Sequence, residues 1–303
     1  MAQEKPLKII SWNVNGIRSN IFGAGNLTIS YDMVPEPDSN FTEIMDEYDP
    51  DIICFQETKC DENTWRHIVK AYPDYHQYWN SSQGVEARAG NRYSGTAVWT
   101  KVKPDSVTYQ IPQMDIDDDE GRIIVVNFKT FTLINTYVPN SGTNMPRRLG
   151  FWDTGMRDYL KMMTERDRDV IWTGDLNVAR TPDDVYFGKP DTPEYMANRM
   201  SGEGNSAIAG FLKEERNNIQ KILDVGYFDV QREMHPLDEY MFTFWTNMRG
   251  YFRERNHGWR LDYFIVNNEL MERVADSQVL SHTGLKTKPT GSDHCAIYLA
   301  VYI

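Results

Sequence analysis

Short apolar runs broken by polar punctuation recur along most of this chain. Residues 7–12, 51–55, 96–100, 123–128, 131–137, 170–173, 261–266 and 296–302 are rich in β-branched or aromatic side chains and are bounded by Gly, Pro, Asn or Asp. That pattern predicts strands. The fourth and fifth runs are separated only by Lys129 and Thr130, which reads as a tight hairpin. Elsewhere the spacing changes. Leu149, Trp152, Met156, Tyr159, Leu160 and Met163 recur at three and four, which predicts an amphipathic helix over about 147–165. Phe211, Leu212, Ile219, Ile222 and Leu223 mark a second helix that ends near Gly226. Residues 63–72 mark a third. No repeat or low-complexity linker interrupts the pattern, so residues 1–303 are expected to form one domain. The strands are too many for one small sheet. The expected class is α/β, a four-layer sandwich of two packed mixed sheets flanked by helices.

Polar side chains collect where the predicted strands end. Asn13 and Asn15 follow the first run and Glu57 the second. Asp175 and Asn177 follow the sixth, Asp262 lies in the seventh, and Asp293 and His294 precede the last. A single acid at a strand end is ordinary. Five such polar ends in one chain are hard to explain by folding alone. Carboxylates and an imidazole on the edges of apolar runs suit metal-assisted attack on a phosphate ester.

Charge refines this reading. The net charge of −12 weighs against nucleic acid, whose phosphates are bound by Lys and Arg. The distribution matters more than the sum. Acids cluster in 32–47 and 115–120. Arg249, Arg253, Arg255 and Arg260 interleave with Tyr251, Phe252 and Trp259, beside the candidate acids. Such interleaving favours a polyanionic partner, and the acidic balance fits a site that holds Mg²⁺. No apolar run approaches a bilayer span, and residues 1–8 do not read as a signal or transit peptide. Of the three cysteines, Cys54 and Cys295 read as buried thiols in a reducing, intracellular setting.

Several motifs occur in order: Ser11 to Gly16, Phe55 to Lys59, Tyr93-Ser94-Gly95, Tyr137-Val138-Pro139-Asn140, Gly174 to Ala179, Thr243-Phe244-Trp245-Thr246, Gly258 to Phe264 and Gly291 to Cys295. Together they resemble the exonuclease III class of abasic-site (AP) endonucleases, in the endonuclease/exonuclease/phosphatase superfamily, from Lys8 to the C-terminus. The resemblance implies the four-layer sandwich already predicted. It implies Glu57 as principal Mg²⁺ ligand, with Asn15 and Asp293 completing the metal or water shell and Mn²⁺ as a possible substitute. Asn15 occupies a position where some relatives have Asp. Asp175 would activate water, Asn177 would clamp the phosphate, and His294, held by Asp262, would bind it as an imidazolium. Tyr137 and Asn140 would contact the scissile phosphate, with Asn13 in support. Phe244, Trp259 and Leu261 would wall a pocket for a flipped abasic sugar, Met248 would wedge into the duplex, and Asn205 would touch the backbone.

The implied activity is Mg²⁺-dependent incision 5′ to an abasic site in double-stranded DNA, as in base excision repair. The products would be a 3′ hydroxyl and a 5′ deoxyribose phosphate, with a 3′–5′ exonuclease or 3′-phosphodiesterase side activity. A monomer without membrane contact is expected, in the nucleus of a eukaryote or the cytoplasm of a prokaryote. Other members of the superfamily (an inositol polyphosphate phosphatase, a deadenylase or a non-specific DNase) share such a centre, and a non-catalytic DNA-binding module is a further alternative. The chain departs from the family pattern at Thr143 and Ile208, where relatives carry Arg and Asn, and in insertions near 21–40 and 83–91. These departures bear on affinity and substrate range rather than on the reaction, and Thr143 and Ile208 imply weaker DNA affinity.

Overall fold

The computed structural model describes residues 5–21, 39–83, 93–112, 114, 119–142, 145–186, 209–238, 240–246, 253–281 and 292–303. Its strands are β1 (Leu7–Asn13), β2 (Ile52–Gln56), β3 (His76–Asn80), β4 (Thr96–Thr100), β5 (Ser106–Thr108), β6 (Ile123–Asn127), β7 (Phe131–Tyr137), β8 (Asp169–Asp175), β9 (Tyr227–Asp229), β10 (Asp262–Asn267), β11 (Val274–Leu280) and β12 (Ala296–Val301). They form two six-stranded sheets, ordered β11-β12-β1-β2-β4-β3 and β5-β6-β7-β8-β10-β9. Each sheet has one parallel pair at its centre, β1 with β2 and β7 with β8, and is otherwise antiparallel. The eight expected strands are all present, each within two residues of its expected bounds. The Phe128 amide donates to the Phe131 carbonyl, closing the predicted hairpin over Lys129 and Thr130.

Alternation along the strands divides the core into layers. Ile9, Ile52, Cys54, Leu133, Ile171, Phe264 and Leu299 meet between the sheets. Their neighbours Ile10, Trp12, Ile53 and Phe55 face outward against the helices Ser39–Tyr48 and Glu62–Ala71. Ile134, Trp172, Tyr263 and Ile265 face the helices Asp153–Glu165 and Lys213–Leu223. Cys54, Cys60 and Cys295 are free, buried thiols. No helix among the described residues is long and apolar enough to cross a membrane.

The expected helix over 147–165 begins differently. Residues Pro146–Trp152 wind as a π-helix before the α-helix Asp153–Glu165. The wider turn brings Arg148 and Trp152 inward and leaves Phe151 58 % exposed, while Leu149 is half-buried. Arg148 takes an inward position because its guanidinium has partners there. It donates to Asp153 (2.8 Å) and to the carbonyls of Pro139 (3.0 Å) and Leu176 (2.8 Å).

One glycine is fixed by strand approach. Gly174 lies opposite Thr136 in the β7–β8 ladder, with φ of +131°. A Cβ there would stand 1.9 Å from the Thr136 carbonyl oxygen. Gly174→Ala is therefore expected to destabilise the protein by about 2 kcal/mol or more, through strain at that φ and loss of β7–β8 pairing. Denaturant unfolding with the slope unchanged measures this; a midpoint equal to wild type would contradict it.

Candidate active site

On the inner faces the strands change character toward one edge. Ile9, Ser11 and Asn13 succeed one another along β1, Ile52, Cys54 and Gln56 along β2, Leu133, Asn135 and Tyr137 along β7, and Ile171, Thr173 and Asp175 along β8. Each series passes from apolar to polar in the same direction because both parallel pairs end at the same edge. Antiparallel β10 begins there with Asp262, and His294 stands two residues before β12. Tyr137 lies beside Asp175, and Asp175 beside Asp262, in the β7–β8–β10 ladder. Adjacent strands are about 4.8 Å apart, so these three side chains share one rim without help from any loop.

Asn13 joins the two sheets across that rim. Its Nδ2 donates to Glu57 Oε1 (3.0 Å) and to Asp175 Oδ2 (2.9 Å), and its Oδ1 accepts from the Asn15 amide (3.1 Å). Asp175 Oδ1 accepts from the Asn177 amide (2.9 Å). Asn177 Nδ2 donates to the Val138 carbonyl (2.8 Å), and its Oδ1 receives Asn140 Nδ2 (3.3 Å). Arg148 ties down the Pro139 and Leu176 carbonyls, each one residue from these two asparagines. His294 is 4 % exposed. Its Nδ1 lies 2.8 Å from Asp262 Oδ2 and its Nε2 3.8 Å from Asp175 Oδ2. Ser292 holds the Asp293–His294 turn, donating to the Asn13 carbonyl and accepting from the His294 amide.

Backbone strain concentrates here. Asn15, Glu57, Lys59 and Asn177 all have φ between +44° and +49°. Asn adopts that region with modest cost, whereas Glu and Lys do so only where the surroundings enforce it. The Gly16 and Ile17 amides donate to the Glu57 and Thr58 carbonyls, while the Thr58 and Lys59 amides donate to Gly95 and Ser94. Two loops thus clamp the turn that presents Glu57.

The electrostatics follow from burial and proximity. Burial raises Asp175, against the pull of His294, to about 7. For His294, burial alone would lower the pKa, but Asp262 and Asp175 outweigh it and raise the imidazole to about 10. Burial opposes ionisation of Glu57, yet Lys59 and Asn13 prevail and hold its carboxyl below the usual value. Burial and the Glu57 carboxylate push Tyr137 well up, so its hydroxyl remains a donor at ordinary pH.

Lys59 was not foreseen as a site residue. Its Nζ is 2.7 Å from Glu57 Oε2 and also donates to Asn15 Oδ1. Its spacing of two from Glu57 was the available signal. Arg122, which donates to the Tyr137 carbonyl and lies over the Tyr137 ring, had none, since it sits outside every motif. Around the rim stand the carboxylates of Glu57, Asp175, Asp262 and Asp293, opposed by Lys59 and His294. That negative balance would repel a phosphodiester unless a cation were added. Among the described residues no group of three or more His, Cys, Asp or Glu closes on one point. The donors at hand are oxygens of Glu57, Asn15 and Asp293, the last accepting from Asn15 Nδ2 (3.0 Å). A sparse set of hard oxygen ligands fits a cation that keeps several waters, as Mg²⁺ does.

Beside His294 is an apolar wall. Phe244 packs at 4.9 Å from the imidazole and pairs reciprocally with Trp259. Trp259 and Leu261 join Ala179, Val185 and Phe211. Trp245 is buried. The expected phosphate-binding group around Arg260 needs correction. Arg260 is 1 % exposed and is held by Asp184 (2.7 Å) and Asp229 (2.7 Å). It faces away from Trp259 and Leu261 because the chain alternates there, and it anchors the wall instead of meeting solvent. Arg253 lies over Trp245, 4.7 Å from the ring centroid. Asn205, Met248, Arg249, Thr143, Ile208 and most of both insertions lie outside the described residues.

An acidic rim with a buried imidazole, at the open edge of two packed sheets, suits the hydrolysis of a phosphate ester. The chain belongs to the Endonuclease/Exonuclease/phosphatase family, whose profile matches residues 10–294. It is 35 % identical over 297 residues to the DNA repair nuclease APEX1 of Danio rerio, covering 97 % of this chain and 81 % of that one. It is 33 % identical to an exodeoxyribonuclease of Bacillus subtilis, covering 98 % and 100 %. Among solved structures, an AP endonuclease from Archaeoglobus fulgidus superposes with a TM-score of 0.73 at 27 % identity, covering 98 % and 100 %. The resemblance to the exonuclease III class is thereby borne out.

Proposed function

We propose that this chain is a Mg²⁺-dependent AP endonuclease acting as a monomer through one catalytic domain. It would cut double-stranded DNA 5′ to an abasic site, leaving a 3′ hydroxyl and a 5′ deoxyribose phosphate, with 3′–5′ exonuclease and 3′-phosphodiesterase side activities. The observation that carries this reading is the joining of Glu57 and Asp175 by Asn13, beside a His294 that touches Phe244 of the apolar wall.

In this reading Asp175 takes a proton from water as the water oxygen bonds to phosphorus and the bond to the 3′ oxygen breaks, and the departing oxygen takes a proton from solvent to become the 3′ hydroxyl. The His294 imidazolium, the Tyr137 hydroxyl and the amides of Asn140 and Asn177 donate to phosphate oxygens. Glu57, Asn15 and Asp293 would hold Mg²⁺, which when bound neutralises charge on the phosphate and on the departing oxygen. Asn205 and Met248 are assigned to backbone contact and to a wedge in the duplex by resemblance.

The test is incision of a labelled abasic duplex beside RNA and phosphoinositide substrates. A single cut 5′ to the abasic site, abolished by chelator, is expected. Glu57→Ala should lose most activity at low Mg²⁺ and recover part of it as Mg²⁺ rises. Full wild-type activity in excess chelator would refute the metal requirement, and preference for RNA or phosphoinositide would refute the substrate.

Selectivity is assigned to the wall. Phe244, Trp259 and Leu261 would close on a base-free sugar and leave no room for a base, while an intact nucleotide would also have to unstack, at about a few kcal/mol. Phe244→Ala with Trp259→Ala should raise kcat/KM on undamaged duplex relative to abasic duplex. Equal loss on both substrates would mean that these residues are core and not a filter.

A further inference from the structure

One layer below the rim, the otherwise apolar interface between the sheets is crossed by buried polar side chains. Ser11, Gln56 and Asn135 are each 0 % exposed. Asn135 lies on β7, two residues before Tyr137. Its Oδ1 accepts from Gln56 Nε2 at 2.7 Å, and Gln56 Nε2 also donates to Ser11 Oγ at 3.0 Å. Asn135 Nδ2 donates to the carbonyls of Phe55 (3.1 Å) and Ala97 (3.0 Å). One amide on the second sheet thus grips three points on β2 and β4 of the first. Two of those points, Phe55 and Gln56, immediately precede Glu57.

We infer that Asn135 is a positioning residue that fixes the depth and spacing of the Glu57 turn relative to Tyr137 and Asp175. The inference rests on the roles proposed above for Glu57 and Tyr137. The halves of the site come from different sheets. The apolar layer beneath them sets their separation but, being non-directional, not their alignment. Hydrogen bonds do set alignment, because an amide fixed at both ends tolerates little sliding. At the rim Glu57 meets the second sheet through Asn13, itself a residue of β1 in the first, and through the Tyr137 hydroxyl, both at the tips of side chains. Asn135 adds a connection one layer deeper, from the strand of Tyr137 to the backbone and side chain of the strand that leads into Glu57. Glu57 has a left-handed φ, so a small shift of β2 would change where its carboxylate points.

The test separates alignment from stability. Asn135→Leu leaves a buried Gln56 donor and two carbonyls without their partner and should lower the melting temperature. Asn135→Leu with Gln56→Leu removes the stranded Gln56 donor but leaves the two carbonyls without a partner, so only part of the lost melting temperature should return. Alignment should not return with it. In both variants we expect Mg²⁺ or Mn²⁺ affinity, measured by calorimetry without DNA, to fall by about tenfold, and the single-turnover rate to fall by a similar factor, with duplex affinity unchanged. Asn135→Asp keeps the acceptor for Gln56 but loses both donors, and should show the same loss if the single leucine variant does not fold. Metal affinity and rate that recover along with stability in the double variant would overturn the inference. So would wild-type metal affinity in Asn135→Asp. If the wild type does not cut abasic duplex, the substrate reading fails, and the calorimetric comparison still decides the role of Asn135.

Discussion

Asp175→Asn is expected to lower kcat on abasic duplex by about 10²-fold or more, the range for removal of a general base, while duplex affinity changes little. Both Asp175 oxygens act as acceptors, one from Asn13 and one from the Asn177 backbone. An amide preserves the shape and one of these bonds, sets an NH₂ against the other donor, and cannot take a proton. The wild type should show an acid limb near pH 7, since burial raises Asp175 to about that value and only the ionised form accepts a proton. The variant's residual rate should lack that limb. The stability sign is opposite to that of a paired surface acid. An acid whose folded pKa exceeds its unfolded value costs stability as pH rises above the unfolded value, and the cost is complete once pH passes the folded value. Asp175→Asn should therefore melt at or above the wild-type temperature at pH 8. Single-turnover rates, gel-shift affinity and thermal melts at two pH values check all three points. Equal losses of rate and binding, with a lower melting temperature, would make Asp175 a structural residue.

The strands that the sequence pattern disclosed and those it hid differ in one physical respect. β1, β2, β4, β6, β7, β8, β10 and β12 are interior strands, while β3, β5, β9 and β11 are the four sheet edges. An interior strand with core on both faces must be apolar at nearly every position, so it reads as a run. β3 (His76–Asn80) has no fully buried residue, and exposed and buried positions intermingle along β11. Edges are kept polar to prevent further pairing, and that protection removes the signal. The same logic explains the site. Acids at the ends of interior strands stood out against apolar runs. Arg122, Arg148 and Arg260 did not declare their roles, because each has a partner well removed in sequence, Tyr137, Leu176 and Asp184 respectively, and a buried Arg looks like a solvated one until that partner is known. For Arg260 the clustering with Trp259 pointed to phosphates, whereas Asp184 and Asp229 already neutralise it. Salt-dependent DNA binding therefore has to rest on other basic groups.

The second large effect concerns the His294–Asp262 pair. Asp262→Asn is expected to lower the rate by about 10²-fold at pH 8.5, comparable to loss of one charge-stabilising donor, and by less near pH 6.5. Burial alone would lower the pKa of His294, and it is the Asp262 and Asp175 carboxylates that carry it up to about 10. In the wild type the imidazolium therefore persists until pH approaches 10, and Nδ1 is fixed on Asp262 at 2.8 Å so that Nε2 faces the Asp175 side of the site. With an amide in place of Asp262, the largest attraction opposing burial is gone and the charge is lost at lower pH. Asp262 also raises Asp175, so its removal should let Asp175 ionise at lower pH while His294 is still charged. Both limbs of the pH–rate profile should therefore move in the acid direction, with the optimum following them. A purely structural role for Asp262 would lower the rate by one factor at every pH. Profiles of wild type and variant that run parallel from pH 6 to 10 would show that the imidazolium is not what the site uses to meet the phosphate.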